Sequence, residues 1–191
     1  MSEVLHAVRV KGIAMPDAVS LATGLPVDEV ERELAEREAE GLVLQRPSRK
    51  RPGFVLTEEG RERHAEWLAA AHSTEEREQL AGHYDGFLAV NAEVKAVSAR
   101  WQSASETDRL DLIDRIEALH EQAAPVLGRA EDVAPRYGRY GDRLGVALER
   151  LEDDPRYFVS PLVDSYHTVW FECHEDFLLT LGRTRAGEGS E

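Results

Sequence analysis

Residues 24–64, GLPVDEVERELAEREAEGLVLQRPSRKRPGFVLTEEGRERH, change periodicity twice, and those changes decide the fold. From Asp28 to Glu40, Val30, Leu34 and the stem of Arg37 recur at helical spacing, so one side of a helix turns inward. After Gly41 that repeat stops. LVLQR and FVLT then read as two short strands around RPSRKRPG, a basic loop rich in Pro. Thr57 caps a further helix, TEEGRERHAEWLAAAH, whose first turn holds Glu58 and Glu59, where the helix dipole favours carboxylates.

Towards the N-terminus, Val4, Leu5 and Val8 define a helix over residues 4–11 that stops at Gly12. PDAVSLATG follows, with Pro16 suited to a first helical position and Gly24 closing the segment. The tetrad TGLP supplies a tight turn between this helix and the next, which is helix-turn-helix spacing. GLPVDEVERELAEREAEGLV, a basic hairpin and LTEEGRERH together resemble the winged helix-turn-helix of MarR-type bacterial regulators. That resemblance covers the first 72 residues and implies a DNA-binding fold. More faintly, the chain from VLHAVRVKG to DSYHTVWFECHEDFLLTLG resembles actinobacterial helix-turn-helix proteins that accompany phosphoenolpyruvate-utilising enzymes.

Downstream, helical segments are expected over residues 75–102, 107–127 with a kink at Pro125, 139–152 and 161–182. Turns are expected at SASE, at VAPRYGRYG and at DDPRYFVSP, with a few extended residues around Tyr157 to Val159. The expected fold is therefore mainly α. A winged helix-turn-helix with a two-stranded wing occupies residues 1–72, and a bundle of about four helices over residues 73–191 serves ligand binding or dimerisation.

The chain carries a net charge of −14 over 191 residues, with 42% hydrophobic and 31% charged residues, a composition that folds. Residues 1–72 hold 10 basic against 13 acidic side chains, which leaves −11 of that charge for the remainder. The second half should repel nucleic acid. No apolar run is long enough for a membrane span, and neither a signal peptide nor a second cysteine accompanies Cys173, so a cytoplasmic location without disulfides is expected. A Gly-rich phosphate loop, HExxH and GxSxG are all missing from the sequence. Neither enzymatic activity nor a cofactor is expected.

Two groups of residues carry functional expectations. In a helix-turn-helix the third helix normally enters the major groove, and projection turns Asp28, Glu29, Arg32, Ala35 and Glu36 outward there. Three carboxylates against one guanidinium make that surface unfavourable to phosphate, whereas Arg46, Arg49, Lys50 and Arg51 in the wing attract it. Arg32 and those four wing residues are the DNA-contact candidates. The last helix places Tyr166, Trp170 and Cys173 on one face, with His167 and His174 at its edge and Asp164 three residues before His167. Trp101 and Asn91 from an earlier helix, and His120 from another, point to the same interior. Either each is a separate core residue or Asn91, Trp101, His120, Tyr166, His167, Trp170 and His174 line an effector pocket. A metal is not expected, because a spacing of seven holds His167 and His174 roughly 10 Å apart along the helix. Arg136, Arg139 and Arg143 form a basic island, read as flexible through Gly138 and Gly141, that either takes an anion or pairs with neighbouring acids.

Two functions fit these features. One is a ligand-responsive transcriptional regulator, a homodimer that binds DNA through the winged module and a small-molecule effector through the helical domain. The other is an interaction or accessory module, without DNA binding, for a metabolic enzyme of the phosphoenolpyruvate-utilising type.

Overall fold

The computed structural model describes residues 2–50 and 52–184. Their contacts divide the chain into one unit running to Ser73, to which the residues from Leu178 on also belong, and a second from Thr74 to Phe177. The fold is mainly α.

The first unit begins with α1 (Glu3–Lys11), capped by Ser2, whose hydroxyl accepts the Leu5 N–H at 3.0 Å. Then come α2 (Pro16–Thr23) and α3 (Val27–Ala39). At the turn between them Gly24 adopts the left-handed conformation that a side chain disfavours, and the Ser20 hydroxyl donates to the Leu25 carbonyl at 2.6 Å. Val30 and Leu34 of α3 are fully buried with Val4, Leu5, Val8 and Val19, as the helical spacing requires.

β1 (Val43–Arg46) and β2 (Gly53–Leu56) form an antiparallel hairpin in the register Val43↔Leu56 to Arg46↔Gly53. Ala14 adds a rung on the other edge of β2: it bridges Phe54, and the two exchange N–H to carbonyl bonds of 3.1 and 2.8 Å. This fastens the hairpin to the α1–α2 connection. Three helices followed by a two-stranded antiparallel hairpin give this unit a winged-helix shape.

α4 (Glu58–Ala71) starts where periodicity and capping place it. The Thr57 hydroxyl accepts the Gly60 N–H at 3.0 Å and donates to the Gly41 carbonyl at 2.7 Å, so one side chain caps α4 and holds the turn after α3. On its buried side His64 stacks on His6 of α1, with Nδ1 of His6 and Nε2 of His64 2.9 Å apart.

The second unit contains α5 (Thr74–Trp101), α6 (Glu106–Glu131), α7 (Arg136–Leu151), the single turn α8 (Arg156–Val159) and most of α9 (Tyr166–Leu181). Ser105 and Asp108 form a reciprocal capping box at the start of α6. α5 packs on α6, and α6 on α7.

Several expectations are corrected here. α6 runs through Pro125 to Glu131, beyond the expected end at residue 127. RYGRYG is helical from Arg136 instead of a flexible turn, because Tyr137, Tyr140, Leu144 and Ala147 make one buried stripe that outweighs the two glycines. Residues 157–159 belong to the short helix α8 and not to a strand. The last helix begins at Tyr166, later than 161, with the Ser165 hydroxyl 2.9 Å from that of Thr168. No described helix is long and apolar enough to cross a membrane.

Candidate functional site

α3 is held from below by Val30 and Leu34, and its remaining surface is acidic. Arg37, one of its two guanidinium groups, is occupied by its own helix: Nη1 lies 2.6 Å from Glu40, Nη2 3.7 Å from Glu36 and Nε 4.0 Å from Glu33. Asp28, Glu31, Glu36 and Glu38 are exposed, Glu29 half-buried. Arg32 is exposed and makes no ion pair among the described residues. The surface in the position of a recognition helix thus offers carboxylates and a single available arginine.

The wing is built differently. The Ser48 N–H donates to the Arg46 carbonyl at 2.9 Å and the Lys50 N–H to the Ser48 hydroxyl at 3.3 Å, which curls the loop. Arg46, Arg49 and Lys50 are all exposed on it. Arg51 lies outside the described residues.

Beside α3 a groove of about 440 Å³ runs past the start of α2 and the hairpin. Met15, Pro16, Val27, Ala35 and Phe54 form its apolar walls, with Asp17, Glu31, Glu38 and Gln45 among them. Nothing in the periodicity announced it, because it needs the Ala14–Phe54 rung to bring the hairpin beside α3.

In the helical unit, four of the seven pocket candidates meet directly. Trp170 Nε1 donates to Asn91 Oδ1 at 2.9 Å, Tyr166 stacks on Trp170 at 6.1 Å, and the His120 ring stands edge-on to Tyr166 at 6.0 Å. Trp101 reaches this tier through Phe158, and His174 joins it through Phe87. His174 Nε2 is hydrogen-bonded to the Tyr84 hydroxyl at 2.8 Å. His167 sits apart, half-buried over Phe171 at 4.5 Å. Burial holds the His120 and His167 imidazoles below the usual histidine range and pushes the Tyr166 phenol up.

These contacts separate the two histidines energetically. His174→Leu removes a hydrogen bond to the hydroxyl of the fully buried Tyr84 and should destabilise the protein by about 1–3 kcal/mol in urea unfolding. His167→Leu, at the half-exposed edge, should change stability by less than about 0.5 kcal/mol. Equal losses would contradict the assignment of partners.

Acid should weaken the fold for a related reason. His120 and His167 have lowered pKa values in the folded chain, so below pH 6.5 the unfolded chain takes up protons first. Stability is then lost as pH falls from 6.5 through the folded-state values. Thermal unfolding at pH 7 and pH 5 checks this, with the His120→Gln, His167→Gln double variant expected to lose less on acidification than the parent.

Of the two expectations for the basic island, Arg136 and Arg143 follow the pairing with acids, in a network that is largely buried instead of at the surface. Arg143 donates from Nε and Nη2 to the two oxygens of Asp164 at 2.8 and 2.6 Å, and from Nη2 to Glu172 at 2.7 Å. Arg136 Nε lies 2.9 Å from Asp176, which also accepts from the Tyr140 hydroxyl at 3.2 Å. Burial alone would lower both guanidinium pKa values. For Arg143 the hydrogen bond to Asp164 and the charge of Glu172 reverse that, and for Arg136 the charge of Asp176 does. Two of the island's arginines therefore serve α9 and its approach as internal counter-ions. The signal was present as Glu172 and Asp176, one turn apart and flanking the apolar face of Tyr166, Trp170, Cys173 and Phe177. Cys173 between them is buried, and desolvation followed by the charge of Asp176 pushes its thiol far up, away from the reactive thiolate.

No group of three metal-ligating side chains occurs among the described residues. No known protein family matches the chain, and neither a curated protein nor a solved structure does.

Proposed function

We propose that the chain is a winged-helix interaction protein that presents α3 to a protein partner instead of a DNA groove, as an accessory module of the kind the resemblance to companions of phosphoenolpyruvate-utilising enzymes implies. The observation that carries this reading is the acidic surface of α3. In a major groove each of its carboxylates would meet phosphate repulsion, with only cytosine amino groups as base partners, and Arg37 is already occupied by Glu33, Glu36 and Glu40. Against a basic protein surface the same residues steer the encounter and fix its register.

One observation favours a second reading, in which the protein is a MarR-like regulator: Arg46, Arg49 and Lys50 are exposed together on the wing. In that case the wing grips phosphate and the tier around Tyr166 and Trp170 receives an effector.

Fluorescence anisotropy with duplex DNA across a salt series separates the two. The interaction reading expects weak, sequence-independent binding that fades steeply with salt. The triple variant Arg46→Ala, Arg49→Ala, Lys50→Ala should remove that binding without altering stability, whereas Glu29→Gln with Glu36→Gln should strengthen it at low salt. Tight binding to one sequence that survives physiological salt would favour the regulator.

A further inference from the structure

The groove beside α3 joins two kinds of chemistry on one flank of the winged unit. Val27, Glu31, Ala35 and Glu38 follow one another at helical spacing along that flank, so apolar and acidic side chains alternate down a single wall. Met15 and Val27 remain 40% and 42% exposed at this concave surface, so apolar area is left for a ligand to cover. Phe54 closes the far side. Its position is fixed, because its N–H and carbonyl are both bonded to Ala14.

The carboxylates define the occupant. Asp17 accepts the Ala18 N–H and Glu38 accepts the Gln45 N–H, and neither these two nor Glu31 is paired with a cation among the described residues. An anionic ligand, nucleic acid or an anionic lipid surface is repelled. A purely apolar ligand would cover Met15 and Val27 while drying charged groups without compensation. A cationic chain with one bulky apolar side chain satisfies both, its anchor between Val27, Ala35 and Phe54 and its ammonium or guanidinium groups on Asp17, Glu31 and Glu38.

We infer that this groove is the docking site for a partner's short basic segment carrying a large apolar anchor, an assignment that rests on the reading of α3 as a protein-binding surface. Such a site resembles other peptide grooves in combining anchor pockets with charged flanks that set specificity.

The probe is a short synthetic peptide with a central tryptophan flanked by lysines, titrated into the ¹⁵N-labelled full chain. Amide shifts confined to residues around Met15, Val27, Ala35 and Phe54 are expected, with affinity falling as salt rises. Replacing the tryptophan by glycine, or each lysine by glutamate, should weaken binding at least about tenfold. Ala35→Arg, at an exposed position that leaves the core untouched, should do the same while the circular dichroism spectrum stays unchanged. Shifts that map elsewhere, equal binding of the tryptophan-free peptide, or full affinity in the Ala35→Arg variant would overturn the assignment. So would a dimer in sedimentation that Ala35→Arg dissolves, because the occupant would then be a second copy of the chain. Duplex DNA added to the same sample tests the underlying reading separately. If DNA leaves α3 amides unmoved and the peptide misses the groove, only the groove's ligand is wrong; if DNA moves α3, the protein-binding surface itself is wrong.

Discussion

Gly60→Val should cost the protein roughly 3 kcal/mol or more, although Gly60 lies in a helix where a larger residue ordinarily helps. A Cβ built on Gly60 would stand 1.9 Å from the carbonyl oxygen of Leu42 and 2.9 Å from its carbonyl carbon, and both are backbone atoms. They cannot swing aside as a side chain would. The same Leu42 carbonyl accepts the Thr57 N–H at 3.0 Å, and Thr57 caps α4, so relieving the clash by moving α4 would break the cap as well. Gly82 of α5 provides the contrast, because nothing lies within 4 Å of its added Cβ. Gly82→Ala should stabilise by about 0.5–1 kcal/mol from helix propensity alone. Urea unfolding of Gly60→Ala, Gly60→Val and Gly82→Ala measures the pair. If Gly60→Ala gained stability as Gly82→Ala does, the close approach of α4 to Leu42 would be wrong.

The second large effect lies in the ion network. Arg143→Met removes the counter-charge of Asp164 and Glu172, the latter itself buried, and should destabilise by about 3–5 kcal/mol. The loss comes from leaving desolvated carboxylates with less compensating charge. Glu172→Gln added to Arg143→Met should therefore recover part of it, since a neutral amide is less costly to bury than a carboxylate that has lost a counter-charge. Chemical denaturation of the parent, the single variant and the double variant gives the coupling directly. A double variant less stable than Arg143→Met would show that Glu172 has another essential partner.

Local and repetitive features were legible in the sequence. Val30 and Leu34, the change of period after Gly41 and the Thr57 cap sufficed for the winged unit, because each involves neighbours within a turn or a hairpin. The interior of the helical unit was read as a face but not as a set of pairs. Periodicity says that His174 and Asn91 point inward; it cannot say that one meets Tyr84 and the other Trp170, at separations of 90 and 79 residues. For the same reason Arg136 and Arg143 read as an island able to pair with acids, without the pattern saying that the acids are Asp176 for one and Asp164 and Glu172 for the other. The Ala14–Phe54 rung rests on a single residue pair, too short for any strand pattern to register. The groove beside α3 depends on that rung and was hidden with it.

Whether α3 serves a protein partner, as proposed, or DNA is decided by titrating a mixed-sequence duplex at low salt into the ¹⁵N-labelled chain. The predicted result is a set of shifts limited to the wing around Arg46, Arg49 and Lys50, lost at physiological salt, with the amides from Asp28 to Glu36 unmoved. Shifts along α3 that persist at physiological salt would contradict the account.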